Sequence, residues 1–249
     1  MIASIGMTHP WNIAGVGLDA QVAREYGVRI ASVIVGITAQ DERGLHAVFA
    51  VPTEIVQAQL AALPREVDAL RIGALPNVAS VLVIADFLES RPAIPAVLDP
   101  VFAASLGGEF SNDETIAAFR ERMLKPSVVL TPNLSEAGRL LDRSISTVEE
   151  MIDAARALRG LGAGNVVIKG GHLCDAPTDV LVDRNGDVKT FQDVRLCGPM
   201  RGSGCTLAAA LACERARGRA IVPSVESARA YVRAKIAART YFGTLQVAF

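Results

Sequence analysis

A glycine-rich segment in the last fifth of the chain has residues suited to binding phosphate. It reads Gly202-Ser203-Gly204-Cys205-Thr206 and leads directly into an alanine-rich stretch with helical character. The two glycines let the backbone turn tightly and approach a ligand closely. The start of the helix offers free N–H groups and a partial positive charge, which suit the charge that develops in phosphoryl transfer. The pattern fits an ordinary loop-to-helix junction with a buried cysteine equally well.

A second polar pair follows the predicted strand Val128–Leu130. Asn133 and Glu136 are three residues apart, so their side chains face the same way on the first turn of a helix. An amide and a carboxylate in this arrangement suit a hydrated Mg²⁺ beside phosphates. The alternative is a helix cap at Asn133 with Glu136 completing a capping box, and the two residues alone favour that alternative.

Two charged residues also stand at strand ends. Lys169 follows the predicted strand Asn165–Ile168, and Asp99 follows Ala96–Leu98. The lysine is a point charge for a phosphate, and the aspartate is a carboxylate for a metal or a substrate. His172, three residues after Lys169, caps a loop or touches the ligand. The alternatives are a solvated lysine and an Asp-Pro turn.

Apolar strand patterns alternate with helical patterns along the chain. The predicted strands are Met1–Ile5, Val28–Ile37, Ala69–Ile72, Ala96–Leu98, Val128–Leu130, Asn165–Ile168, and the hairpin strands Val180–Val182 and Val188–Phe191 on either side of Asn185-Gly186. The predicted helices are Val16–Tyr26, Thr53–Leu63, Val78–Leu88, one through Met123 after a capping box of Ser111 and Glu114, one to Leu161 after a capping box of Ser146 and Glu149, Cys205–Arg215 and Ser224–Thr240.

This alternation predicts an α/β fold in which a mostly parallel sheet carries helices on both faces, a three-layer αβα sandwich. No linker-like stretch divides the chain, so we expect a single domain over residues 1–249. In such sheets, ligands bind in the loops beyond the carboxyl ends of the strands. The four motifs therefore converge on one predicted site.

The composition limits the classes to which this protein can belong. The 249 residues are about half apolar, with a net charge of −1 and no basic patch, so we expect no nucleic-acid partner. No apolar run reaches the roughly 18 residues that span a bilayer, so we expect no membrane segment. Only four cysteines occur, and none forms a C-x-x-C pair. Sparse cysteines of this kind indicate reduced thiols and predict a soluble, cytoplasmic protein.

The order of these motifs resembles the ribokinase-like superfamily, and within it the hydroxymethylpyrimidine and phosphomethylpyrimidine kinases of thiamine biosynthesis. The resemblance covers nearly the whole chain. It rests on the segments Leu130-Thr131-Pro132-Asn133-Leu134-Ser135-Glu136-Ala137, Ile168-Lys169-Gly170-Gly171-His172, Gly202-Ser203-Gly204-Cys205-Thr206-Leu207, Arg71-Ile72-Gly73, Leu98-Asp99-Pro100-Val101 and Ala39-Gln40, together with Asp19 after the amino-terminal loop.

The resemblance implies an ATP-dependent, Mg²⁺-dependent kinase with a ribokinase-like fold, and it implies a role for each matching residue. The expected catalytic residues are Cys205 and the anion-hole residues Gly202, Ser203 and Gly204. The expected nucleotide-binding residues are Lys169, Asn133 and Thr206, and the expected metal-binding residues are Asp99 and Glu136. The expected substrate-binding residues are Gln40, Asp19, Gly6, Val101 and Gly73.

The chain departs from the family pattern mainly around the expected acceptor pocket. The family's glycine-rich amino-terminal loop is replaced by residues 6–15, which include the bulky Trp11. We therefore expect this loop to set the choice of acceptor. In addition, Ala74 stands where the family often has Met, and residues 104–107 lack a Lys that is frequent there.

Three functions follow from these observations. The first is phosphorylation of 4-amino-5-hydroxymethyl-2-methylpyrimidine, its monophosphate, or both. The second is pyridoxal or pyridoxine kinase activity, since these kinases share the fold, and the third is a non-catalytic ligand-binding member. The resemblance also predicts a homodimer. We expect the helix start to favour the thiolate of Cys205, which would then alkylate faster than Cys174, Cys197 and Cys213.

Overall fold

The structure is a computed structural model, and it describes residues 1–171, 173, 176–196, 198 and 200–247. His172, Cys174 and Cys197, which the sequence singled out, lie outside the described residues. The strands are β1 Ile2–Thr8, β2 Ile30–Asp41, β3 Gly44–Ala50, β4 Ala69–Ile72, β5 Ala96–Leu98, β6 Val128–Leu130, β7 Asn165–Ile168, β8 Thr178–Val182, β9 Val188–Gln192, β10 Thr240–Phe242 and β11 Leu245–Val247.

The helices fill most of the intervals between the strands. They are α1 Gly15–Glu25, α2 Thr53–Ala61, α3 Val78–Ser90, α4 Asp113–Arg122, α5 Leu134–Leu141, α6 Val148–Gly160, α7 Ser203–Ala216 and α8 Ile221–Ala238. None of the helices in the described ranges is long and apolar enough to cross a membrane.

Nine strands form one sheet in the order β3-β2-β1-β4-β5-β6-β7-β8-β9. The strands from β2 to β7 in this order pair in parallel, whereas β3 at one edge and β8 and β9 at the other pair antiparallel. The prediction of a mostly parallel sheet is therefore confirmed. Its parallel strands bring their carboxyl ends to one edge, where ligands bind in sheets of this kind.

Both faces of the sheet are buried, which explains the continuous apolar runs of its central strands. Successive residues of a strand point to opposite faces, and β5 shows this clearly. Leu98 packs into the core shared with α2 to α6, while Val97 packs into the core shared with α1, α7 and α8. Each side chain is fully buried. Two cores on either side of one sheet confirm the three-layer αβα sandwich.

Both predicted capping boxes were wrong by one residue. Asn112, not Ser111, caps α4 by accepting a hydrogen bond from the Thr115 N–H at 3.0 Å. The second capping box is formed by Thr147 and Glu150 instead of Ser146 and Glu149. In each case two neighbouring residues have side chains able to cap a helix, and the sequence alone does not decide between them.

Two elements were predicted incompletely. The β-hairpin formed by β2 and β3 was not predicted. β2 continues to Asp41, and the chain then turns back as the edge strand β3, whose residues are mostly half-buried or exposed. The last helix was predicted too long, since α8 ends at Ala238. Arg239 there adopts a left-handed backbone conformation with φ of 51°, and Thr240 begins β10.

Candidate active site

A cavity lies beyond the carboxyl ends of β1 and β4, beside β2 and the start of α7. Its empty space, including the open mouth, is about 420 Å³. The five predicted substrate-binding residues and Cys205 all line it, and the full lining is Ile5, Gly6, Met7, Thr8, His9, Ala14, Gly15, Val16, Asp19, Thr38, Gln40, Arg71, Gly73, Ala74, Val101, Phe110 and Cys205. Residues up to 200 positions apart in the sequence therefore share one pocket.

The predicted phosphate loop begins α7 as the sequence indicated. Gly202 is the N-cap and has φ of 75°, a left-handed conformation that favours glycine. A Cβ atom at this position would lie 2.2 Å from the carbonyl oxygen of Ile13, so the loop requires glycine there. Among the described residues, no side chain caps the helix. The first N–H groups of α7 therefore have no acceptor within the helix and are available to an anion.

Lys169 lies between two carboxylates at the edge of this loop. Its Nζ atom is 2.7 Å from Oδ1 of Asp99 and 3.6 Å from Oε2 of Glu136. A Cβ atom at Gly204 would lie 3.0 Å from the same Nζ, so the lysine reaches the start of α7. A bridge between Asn133 and Lys169 extends the parallel pairing of β6 and β7 and holds the two segments together.

Arg71, which the sequence analysis named in a matching segment but gave no role, is a member of the site. It is 1 % exposed, and its guanidinium lies 3.3 Å from Oδ1 of Asp19 and 3.4 Å from Oδ2 of Asp99. Ser4 donates a hydrogen bond to the other oxygen of Asp19, Oδ2, at 2.6 Å. An arginine in the middle of the short apolar strand β4 was the available signal, because a fully buried arginine needs charged partners.

The charges of this network follow from burial and from neighbouring charges. Burial tends to raise the pKa of Asp99, but Lys169 and Arg71 outweigh it and hold that pKa below its ordinary value. Burial raises the pKa of Glu136 to about 7, against the attraction of Lys169. Burial also raises the pKa of Asp19, with Arg71 opposing it. At neutral pH, Asp99 is therefore ionised, whereas Glu136 is near the midpoint of its titration.

The expected thiolate at Cys205 was wrong. Burial raises the pKa of Cys205 to about 11, and the nearby charge of Arg71 only partly opposes this effect. The neighbouring carboxylates Asp99 and Asp19 raise it further. Loss of hydration therefore outweighs the field of the helix start, and the thiol is protonated at neutral pH. Burial raises the pKa of Cys213 as well, to about 12.

Two predicted nucleotide-binding residues are held by local hydrogen bonds. Asn133 Oδ1 accepts from the Glu136 N–H at 2.8 Å, and Glu136 Oε2 accepts from the Asn133 N–H at 2.7 Å. This is the capping box that the sequence favoured, and it starts α5. The fully buried Thr206 donates its hydroxyl to the Gly202 carbonyl at 2.9 Å and so supports the loop. Nucleotide contacts from Asn133 and Thr206 remain predictions.

The amino-terminal loop closes one side of the cavity. Its Trp11 ring packs against Phe242 of β10 with centroids 5.1 Å apart, which ties the loop to the carboxyl-terminal hairpin. Beside it on β2, the Gln40 amide donates to Thr38 Oγ1 at 2.7 Å, and Thr38 donates to the Thr8 carbonyl at 2.6 Å. The amide oxygen of Gln40 is thereby left as an acceptor on the wall of the cavity.

Comparisons with known proteins agree with this geometry. The family model described as phosphomethylpyrimidine kinase matches residues 11–248. The hydroxymethylpyrimidine/phosphomethylpyrimidine kinase of Rhizobium meliloti is 38% identical over 236 residues, which is 90% of this chain and 86% of that protein. The chloroplastic thiamine biosynthetic bifunctional enzyme TH1 of Arabidopsis thaliana is 36% identical over 88% of this chain, but the chain spans only 43% of that longer protein.

A solved structure gives the same result for the fold. Pyridoxal kinase of Bacillus subtilis, solved as an ADP complex, superposes with a TM-score of 0.87 at 29% identity. The match covers 98% of this chain and 95% of that one. Together with the match to the family model over most of the sequence, these likenesses show that the chain belongs to the phosphomethylpyrimidine kinase family.

Proposed function

We propose that this protein transfers the γ-phosphoryl group of ATP to 4-amino-5-hydroxymethyl-2-methylpyrimidine, to its monophosphate, or to both. The observation that carries the proposal is that the acceptor cavity adjoins the start of α7. Cys205 lines the acceptor cavity and also belongs to the first turn of α7, whose free N–H groups suit phosphate. An acceptor hydroxyl in the cavity therefore lies next to the groups that bind the transferred phosphoryl.

The nucleotide is held mainly by charge. Lys169 stays protonated, because Asp99 and Glu136 raise its pKa despite its burial. Its ammonium lies close to Gly204, so the lysine and the N–H groups of α7 face the same phosphate. Phosphoryl transfer depends largely on positioning and charge stabilisation, and this arrangement supplies both.

The carboxylates beside Lys169 fit a magnesium ion. Mg²⁺ is usually held by one or two carboxylates, by water and by the phosphates of its nucleotide. Asp99 and Glu136 supply these oxygens, and within the described ranges no cluster of three or more His, Cys, Asp or Glu offers an all-protein site. An ion held by Asp99 and Glu136 would neutralise negative charge on the phosphates of ATP.

Cys205 acts in this proposal by orienting the acceptor. Its thiol is protonated at neutral pH, since burial raises the pKa to about 11. A protonated thiol is a poor general base, but the loose transition state of phosphoryl transfer needs little proton removal in advance. The acceptor hydroxyl therefore loses its proton late in the transfer, to an oxygen of the transferred phosphoryl group, and Cys205 packs beside the hydroxyl.

The competing acceptor is pyridoxal, because the superposed Bacillus subtilis protein is a pyridoxal kinase. Steady-state ADP formation should be measured with the hydroxymethylpyrimidine, its monophosphate, pyridoxal and pyridoxine. We expect the highest kcat/KM for one of the two pyrimidines, and almost no turnover in a Lys169→Met variant that still binds the pyrimidine. A higher kcat/KM for pyridoxal would refute the assignment, and no turnover with any acceptor would favour a non-catalytic binding protein.

We also propose one kinase domain over residues 1–249, a homodimer and a cytoplasmic location. The described cysteines Cys205 and Cys213 are free thiols, which supports a reducing compartment. Ile37 and Phe49 are cross-strand neighbours on β2 and β3, and both are more than half exposed, which supports an interface at this sheet edge. Light scattering coupled to size exclusion should give twice the chain mass, and a monomer would contradict the dimer.

A further inference from the structure

His9, Asp19 and Arg71 line the cavity and have buried side-chain atoms for which the described residues supply no hydrogen-bond partner. Asp19 and Arg71 form an ion pair with each other, whereas Nε2 of His9, a residue that is 3 % exposed, has no partner of either kind among the described residues. Leaving such a group unpaired costs about 1–3 kcal/mol, so it is rare in native proteins. Since the described residues supply no partner and His9 lines the cavity, we expect the partner to come from the contents of the cavity.

The structure also fixes which hydrogen-bonding role Nε2 has. The other ring nitrogen, Nδ1, accepts a hydrogen bond from the backbone N–H of Trp11 at 3.1 Å. Nδ1 therefore carries no hydrogen, and the hydrogen of the neutral ring is on Nε2. Burial lowers the pKa of His9 to about 4, and the charge of Arg201 lowers it in the same direction, so the ring is neutral at neutral pH. Nε2 is a hydrogen-bond donor.

The chemistry of the proposed substrate then limits what this donor can bind. The exocyclic amino group donates hydrogen bonds and pairs with the free amide oxygen of Gln40. The hydroxymethyl oxygen must lie at Cys205 and the start of α7 to receive the phosphoryl group. In the unphosphorylated pyrimidine, the remaining acceptors are the two ring nitrogens, whose lone pairs lie in the plane of the ring.

We propose that His9 is a specificity-determining residue, whose Nε2–H donates a hydrogen bond to a ring nitrogen of the pyrimidine. This inference rests on the proposed function and names the contact that discriminates between heteroaromatic acceptors. Trp11 sets the tautomer of His9 through its backbone, so the departure of this loop from the family pattern creates the contact. A pocket built around a donor discriminates strongly against an analogue that lacks the acceptor.

The test is a double-mutant cycle between protein and ligand. His9→Phe keeps an aromatic ring but removes the donor, and two pyridine analogues of the substrate each lack one ring nitrogen. Binding is followed by the fluorescence of Trp11, the only tryptophan of the chain, whose ring centroid is 6.3 Å from that of His9. His46→Phe is the matched control, because the His46 side chain is 51% exposed and outside the cavity.

We expect His9→Phe to weaken binding of the pyrimidine by about 5- to 150-fold, which corresponds to the cost of leaving the buried ring nitrogen of the pyrimidine without a donor. It should leave binding of one of the two pyridine analogues unchanged, and His46→Phe should alter neither. Equal losses for the pyrimidine and both analogues, or no loss at all, would overturn the proposal. A wild-type protein that binds none of these ligands would instead refute the proposed function.

Discussion

Glu136 makes the stability of this protein depend on pH in a direction opposite to that of most carboxylates. Burial raises its pKa from the ordinary 4.5 to about 7, although Lys169 lies 3.6 Å away. Between these two pH values, the folded protein holds a proton that the unfolded chain has released. Stability therefore falls as the pH rises from about 4.5 to about 7, and this contribution is constant above that range.

Glu136→Gln removes this dependence and keeps the local geometry. The amide oxygen of glutamine can still accept the hydrogen bond of the Asn133 N–H that the carboxylate accepts at 2.7 Å. One pKa unit corresponds to about 1.4 kcal/mol, so the full shift is worth about 3 kcal/mol. As the pH rises from roughly 5 to roughly 8, the unfolding free energy of the variant minus that of the wild type should therefore increase by most of about 3 kcal/mol.

Urea denaturation followed by Trp11 fluorescence, without nucleotide and with a chelator, measures this difference. Glu150→Gln is the matched control, because Glu150 completes the capping box of α6 but is exposed. Hydrogen bonds from Ser146 and Thr147 lower the pKa of Glu150, so its pH effect should have the opposite sign. Parallel pH profiles for wild type and Glu136→Gln would refute the reasoning.

Three further changes test other parts of the site. Gly202→Ala places a Cβ 2.2 Å from a backbone oxygen and imposes a positive φ on alanine, so it should lower the free energy of unfolding in urea by more than about 1–3 kcal/mol. Gly160→Ala is the control and should not have this effect, because a Cβ at Gly160 meets nothing within 4 Å. Cys205 should react with iodoacetamide about 100-fold more slowly at neutral pH than an unperturbed thiol, and a fast reaction would contradict its raised pKa. Arg71→Leu removes the charged partner of Asp19 and one of the two charged partners of Asp99, and it should cost about 3–5 kcal/mol, so an unchanged denaturation midpoint would contradict the network.

The sequence predicted the positions of the charged site residues because they follow strands that are easily recognised. The strands β4 to β7 are short runs buried on both faces, and Asp99 and Lys169 directly follow two of them. Parallel pairing then brings strand ends together at one edge, which makes convergence predictable from the order of the elements alone. The start of α7 was predicted on different grounds, from the glycines at 202 and 204 that lead into an alanine-rich stretch.

What escaped prediction depends on burial and on contacts between distant segments. The helix start and the loss of hydration shift the pKa of Cys205 in opposite directions, and only the folded structure shows which effect is larger. Arg71 of β4 lies next to Asp19 of α1 and next to Asp99, which follows β5. No local sequence pattern reveals contacts between segments that are so far apart in the chain. The donor of His9 depends on one backbone hydrogen bond within an irregular loop.

A crystal structure with Mg²⁺, a non-hydrolysable ATP analogue and the hydroxymethylpyrimidine tests the central claim most directly. We predict the γ-phosphate between Lys169 Nζ and the first N–H groups of α7, with the hydroxymethyl oxygen beside Cys205 and the ring between His9 and Gln40. A pyrimidine bound outside this cavity, or phosphates that contact neither Lys169 nor the Gly202 loop, would contradict the account.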